Sequence, residues 1–90
     1  MAVQTPIANS LYKNVSGSLG MEISKFTSVA NNDTYATGLS VILGLSVDGG
    51  STGGNLGATW ANATSSAPAT VTFLSSSGSI TNVSLIAFGF

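Results

Sequence analysis

The sequence predicts an all-β fold: a small antiparallel β-sandwich or barrel-like domain with an extended N-terminal arm. Three observations lead there. Short runs rich in β-branched and aromatic residues recur along the 90 residues, separated by Gly, Ser and Asn clusters that mark turns. Within the longer runs, apolar and polar residues alternate as in strands. No segment makes a convincing helix, and roughly six or seven short strands between turn signals argue a sandwich or small barrel.

Residues 1–18 form the expected arm, and residues 19–90 the single β domain. Pro6 breaks local structure, Ile7, Leu11 and Tyr12 are isolated apolar points, and Ser16-Gly-Ser18 is turn-like. Such an arm either orders on another surface or frays. Leu19–Phe26 is the first clear strand, with Leu19, Met21 and Ile23 expected inward and Glu22 and Ser24 toward water. Phe26 falls out of register with Ile23, so a bulge is expected before the strand continues to Val29. Asn31-Asn-Asp33 makes a turn, because Asn and Asp tolerate left-handed backbone. Thr34-Tyr35 begins a short strand stopped by Gly38.

The run from Leu39 to Asp48 places Leu39, Val41, Leu43, Leu45 and Val47 on one face, with Ser40, Ile42, Gly44 and Ser46 on the other. Its β-branched residues and Gly44 disfavour a helix. After the loop Gly49–Gly54, Leu56, Ala58 and Trp60 alternate inward along a strand from about Asn55 to Ala61. Trp60 then either packs in the core or anchors an interface. Beyond a linker at 62–68, Thr70–Leu74 and Ile80–Phe90 flank Ser75-Ser-Ser-Gly-Ser79 and read as a hairpin. Val71 and Phe73 share one face of its first arm. In the second, Val83, Leu85 and Ala87 oppose Ser84, Ile86, Phe88 and Phe90. From Leu85 onward this arm is apolar on both faces, as in a strand covered on both sides. Left as a bare edge it would invite aggregation, so it is expected to pair within the sheet or against a neighbour.

Composition narrows the function classes. Charged residues make up 6% of the chain, against about 25% in an average soluble domain, and the net charge is −1. The polar surface must therefore be built from Ser, Thr, Asn and Gly, which lose little side-chain entropy when another protein covers them. Without Cys or His there is no disulfide and no zinc, haem or iron–sulfur site of the usual kind, so no cofactor is expected. Oligomerisation is the remaining common staple for so small a domain. Disorder is excluded by 43% hydrophobic residues. The longest apolar region, Gly38–Val47, is about half a membrane-spanning helix, and Met1–Pro6 lacks the basic start of a secretory signal. Two basic residues give little purchase on a nucleic-acid backbone.

A search for chemistry finds none. The Gly49–Gly57 loop lacks the Gly-Lys-Ser/Thr of a phosphate loop and the Gly-x-Gly of a dinucleotide fingerprint. Calcium wants six to eight oxygens, whereas Asp48 with Asn55, or Asp33 with Asn31 and Asn32, offers a single carboxylate each. Glu22, Asp33 and Asp48 lie on different elements, and the serines have no His to activate them. Four glycosylation sequons, at Asn14, Asn32, Asn62 and Asn82, follow from a chain rich in Asn, Ser and Thr.

The order of pieces resembles the small, Cys-free, Ser/Thr/Gly-rich head decoration (cement) proteins of tailed bacteriophages. The extended start Met1-Ala-Val-Gln-Thr-Pro6, the run Asn32-Asp-Thr-Tyr-Ala-Thr-Gly-Leu39, and Thr70-Val-Thr-Phe with Val83-Ser-Leu-Ile-Ala-Phe-Gly89 carry the resemblance. It implies a non-enzymatic virion protein, made in the host cytoplasm, that binds the outside of an icosahedral shell. The major capsid protein would be its partner, with sister copies in a homo-oligomer, a trimer by preference. The expected interface residues are Ile7, Leu11 and Tyr12 of the arm, ordered on the coat, and Ile86, Phe88 and Phe90 of the last strand, packed on sister copies. A phage tail or fibre component, or a soluble carbohydrate-binding module using Trp60 or Tyr35, are the other readings.

Overall fold

The computed structural model describes residues 2–16, 19–49, 56–76 and 78–90, and the side chains of 12–16 lie outside that description. Among the described residues there are seven strands: β1 (Ala8–Ser16), β2 (Leu19–Val29), β3 (Thr34–Ala36), β4 (Ile42–Gly49), β5 (Leu56–Ala61), β6 (Thr70–Ser75) and β7 (Ile80–Gly89). They form two antiparallel sheets, a four-stranded one in the order β1-β2-β7-β4 and a three-stranded one in the order β3-β6-β5. The sheets pack as an open sandwich, and the all-β expectation holds.

The expected C-terminal hairpin does not form: β6 and β7 belong to different sheets. Instead β2 pairs with β7 and β3 with β6, so β2–β3 and β6–β7 run side by side as one ribbon that bends from one sheet into the other. Asn32, at φ 69°, makes the bend on one side. Pairing continues across it, since Asn32 N donates to Phe73 O (2.8 Å), Phe73 N to Asp33 O (2.8 Å) and Ser75 N to Asn31 Oδ1 (2.9 Å). Jelly rolls wind a ribbon around their core in this way. Two long strands that match over ten residues satisfy more backbone groups than the short β6 could offer β7. Being apolar on both faces, β7 takes an interior place between β2 and β4.

The core lies where the ribbon bends. Phe26 of β2 is fully buried and meets Tyr35 and Phe73 of the other sheet edge-on, with ring centroids 5.1 and 5.4 Å away. Val29, Val71, Ile80, Val83, Leu85 and Ala87 surround them. The inward set steps by three in both paired strands, from Phe26 to Val29 and from Val83 to Ile80, where Asn82 adopts φ 55°. That parity break carries both strands into the bend.

One expected face is reversed, and a second is changed in part. In β2 the inward residues are Glu22, Ser24 and Phe26, while Ile23 is exposed and Met21 half-buried. Phe26 decides this, because the most voluminous residue of the strand reaches the aromatic cluster only in that register. In β4 a bulge between Ile42 and Gly44 changes the parity, so Ile42 is buried, Leu43 is exposed, and Leu45 and Val47 pack on the core.

The described residues of the expected arm, 2–16, are extended but not free. Ala8–Tyr12 pair in register with Lys25–Met21, and Ile7 N donates to Lys25 O at 2.8 Å. Ahead of them Val3 bridges Thr34, Gln4 N donates to Thr34 O (2.7 Å) and Thr34 N to Ala2 O (2.8 Å). The expected arm is thus the edge strand of one sheet and a strap across the other, because both edges offered unpaired backbone groups.

Gly89 and Gly44 make a paired test of this packing. A Cβ on Gly89 would collide with the Val41 carbonyl, whereas one on Gly44 meets nothing within 4 Å. Gly89→Ala should cost about 2 kcal/mol or more, and Gly44→Ala should stay within about 0.5 kcal/mol, both read from urea unfolding midpoints.

Candidate interaction surface

Strand pairing aligns side chains into rows across the outer face of the four-stranded sheet. The register sets Met21 beside Phe88 and Gly44, Ile23 beside Ile86 and Ser46, and Lys25 beside Ser84 and Asp48. On the β1 side the same rows begin with Tyr12, Ser10 and Ala8. Ile23 and Phe88 are exposed, at 36% and 39% of their surface, and Met21 and Ile86 are half-buried. The result is an apolar block two rows deep, with the small Gly44 and Ser46 on its β4 flank and a charged row with Lys25 on β2 and Asp48 on β4 next to it. Exposed apolar surface gathered on one sheet face, with so little charge around it, marks a protein contact more often than a solvated wall.

The inner side of the same sheet holds the fold's most unusual feature. Glu22, expected in water, is 2% exposed. Its carboxylate accepts hydrogen bonds from the Tyr35 hydroxyl, from Gly38 N at 2.6 Å and from the Asn9 side-chain amide at 3.1 Å. Asn9 also lies 2.6 Å from the Tyr35 hydroxyl and 2.7 Å from Ser24 Oγ, and Ser24 Oγ donates to that hydroxyl at 3.2 Å. Burial, and then the bond to Glu22, push the Tyr35 hydroxyl up to about 12. The cluster joins β1, β2 and β3, and among the described residues no buried side-chain polar atom lacks a partner. Its groups all serve one another, and it has neither a free nucleophile nor an opening to substrate. It is a structural lock.

Asp33, considered as a calcium ligand, is likewise committed. Its carboxylate accepts from Ala2 N (2.9 Å), the Gln4 side chain (2.6 Å) and Ala30 N (2.9 Å), and so clips the N-terminal strap to the bend. Burial raises the Asp33 pKa, but these bonds outweigh it and the net shift is downward. Among the described residues no group of three His, Cys, Asp or Glu side chains gathers. Asn55 and most of the Gly49–Gly57 loop lie outside the described residues.

The aromatic candidates divide. Tyr35 is buried and offers no stacking face to a sugar. Trp60 pairs with Val71 and so sits on the inward side of its sheet, but at the rim, where it remains 43% exposed. Its indole N–H donates to Ile42 O at 3.0 Å, while Asn62 Oδ1 accepts from Ile42 N at 3.0 Å and Ala63 N donates to Ser40 O at 2.7 Å. Trp60 therefore ties the two sheets together at their open edge; it is not a core residue. An open depression of about 440 Å³ beside Leu56 and Leu74 contains no ionisable side chain among its described lining.

The six expected interface residues do not form one patch. Ile86 and Phe88 lie on the outer face, and Phe90 is exposed where its backbone pairs with Val41. Ile7 is 65% exposed beside the strap, with Val3 at 79%. Leu11 pairs with Glu22 and so belongs to the inner side, where it lies against Gly38. Tyr12 pairs with Met21, and its side chain is outside the described residues. Sequence reasoning missed Met21 and Ile23, because an alternating strand does not say which set faces out. Comparison with protein-family models, with curated proteins and with solved structures finds no match.

Two predictions follow from the buried groups. Tyr35→Phe removes a donor from the enclosed carboxylate and should destabilise the protein by about 2 kcal/mol in equilibrium denaturation. The lowered pKa of Asp33 contributes stability that is present above its unfolded value of 3.8 and is lost as pH falls through the folded value. Asp33→Asn should therefore be less stable than the parent at pH 7, with the gap between the two melting temperatures closing as pH drops below 3.8.

Proposed function

We propose that this chain is a non-enzymatic structural protein of a bacteriophage virion that binds the outside of an icosahedral capsid and stabilises it by bridging coat subunits. The observation that carries this reading is the apolar outer face of Met21, Ile23, Ile86 and Phe88 on a protein with 6% charged residues. A body with enclosed polar groups and an uncovered apolar face is built to be packed against protein. The resemblance to head decoration proteins supplies the setting. Sister copies would meet through the outer face, and the coat through the strap side, where Val3 and Ile7 are the most exposed large apolar residues among those described. Binding the assembled shell and not the free subunit would stabilise the shell by linkage, multiplied over many symmetric copies.

Removing everything before Leu19 is a poor test, since it strips β1 and the Asn9 bond from Glu22. Point changes at exposed positions are cleaner. Ile7→Asp should leave stability within about 0.5 kcal/mol of the parent and reduce binding to purified particles in a pelleting assay. The founding experiment is the copy number of this chain in particles from its source, by quantitative mass spectrometry. Copies comparable to the major coat protein support decoration, a handful assign it to the tail or a fibre, and absence overturns the virion role.

A further inference from the structure

The outer face of the four-stranded sheet has a shape and a charge pattern that match themselves. Across each row, the β2 side carries the larger groups, Met21 and Ile23, and the β4 side the small ones, Gly44 and Ser46, with Phe88 and Ile86 of β7 between. The third row carries Lys25 on β2 and Asp48 on β4, two strand spacings apart, or about 10 Å. A twofold axis laid along β7 turns one sheet over onto another, reverses the strand order and keeps the rows level. It sets Met21 and Ile23 of one copy over Gly44 and Ser46 of the next, and Lys25 over Asp48 on both sides. Phe88 and Ile86 then meet their own equivalents on the axis.

We infer that the protein forms a twofold homodimer through this face, with two reciprocal Lys25–Asp48 pairs. The contact is isologous, so one patch serves both copies. Sheets packed face to face lie about 10 Å apart, as in the inner layer of a sandwich. With the axis on β7, β2 and β4 of each copy face each other, β7 faces itself and β1 overhangs. Three strands of about eight residues thus cover about 400 Å² per copy, or about 800 Å² in total, the size of a weak, transient contact. Dimerisation is therefore concentration-dependent. This deepens the sister-copy contact of the proposed function and rests on its self-association alone, not on the virion.

Sedimentation velocity across a concentration series tests it. The parent chain should pass from monomer to dimer. Lys25→Asp makes the charged row wholly acidic and Asp48→Lys makes it wholly basic, so each variant alone should dimerise at least about tenfold more weakly. An equimolar mixture of the two should recover the dimer, because both crossed pairs are then opposite in charge. Gly44→Phe, at a position with open space within the protomer, should also abolish the dimer while leaving the melting temperature near the parent's. A parent that stays monomeric or forms trimers, or a mixture no better associated than its components, overturns the inference. A dimer in solution with no chain on particles would keep this interface and remove the virion role. Chain on particles with a monomer in solution would do the reverse.

Discussion

The hydrogen bond between the Tyr35 hydroxyl and the Glu22 carboxylate is the contact on which the rest of the structure depends. It joins the two sheets through a buried acid, and it is satisfied only in the facing of β2 that also buries Phe26. A strand has only two facings, and a one-residue slip exchanges them completely. With Glu22, Ser24 and Phe26 turned inward, Met21 and Ile23 turn outward. Leaving Ile23 exposed and Met21 half-buried forgoes part of the ~1.5–3 kcal/mol that full burial of each would contribute. That loss is offset inside by the aromatic contacts of Phe26 and by three donors to the carboxylate, and outside only when something covers the face.

The sandwich is closed at its margins by side chains instead of by further strands. At one margin Asp33 and Asn9 hold the N-terminal strap and β1; at the other Trp60 and Asn62 bond both backbone groups of Ile42. These bonds supply what disulfides give other small domains, and they use the polar, uncharged residues in which the chain is rich. Four of its five ionisable residues have a structural or surface place among the described residues: Glu22 and Asp33 inside, and Lys25 and Asp48 in one row of the outer face. Among the described residues, the enclosed side chains of the Glu22 cluster are polar and the outer face of the four-stranded sheet is apolar.

The strands themselves were largely legible in the sequence. β2, β3, β5 and both C-terminal strands stand close to where alternation and turn residues place them, and Asn32 takes the left-handed conformation expected of the Asn31–Asp33 turn. The inward set Val71, Phe73, Val83, Leu85 and Ala87 was legible too, because these positions are apolar whichever strand they pair with. Facing was not legible in β2, where Leu19, Met21 and Ile23 make the more apolar set, nor in β4, where a bulge of one residue exchanges Ile42 for Leu43. The rows of the outer face were hidden for the same reason. Alternation singles out Ile86 and Phe88 on their own strand, but it points their neighbours Ile23 and Met21 toward the core.

By itself, then, the sequence determined the all-β class, the low charge, the absence of Cys and His, and most strand positions, since each depends on composition or on neighbours a few residues away. Only the tertiary structure decided that β6 and β7 part into different sheets, that the first residues dock as a strand and a strap, and that Glu22 is enclosed while Met21 and Ile23 stand outside. Those outcomes depend on which distant segment satisfies a strand's backbone groups and where the bulkiest side chain finds aromatic partners. No local pattern encodes that choice, because it is a competition among pairings that become comparable only when the whole chain is folded.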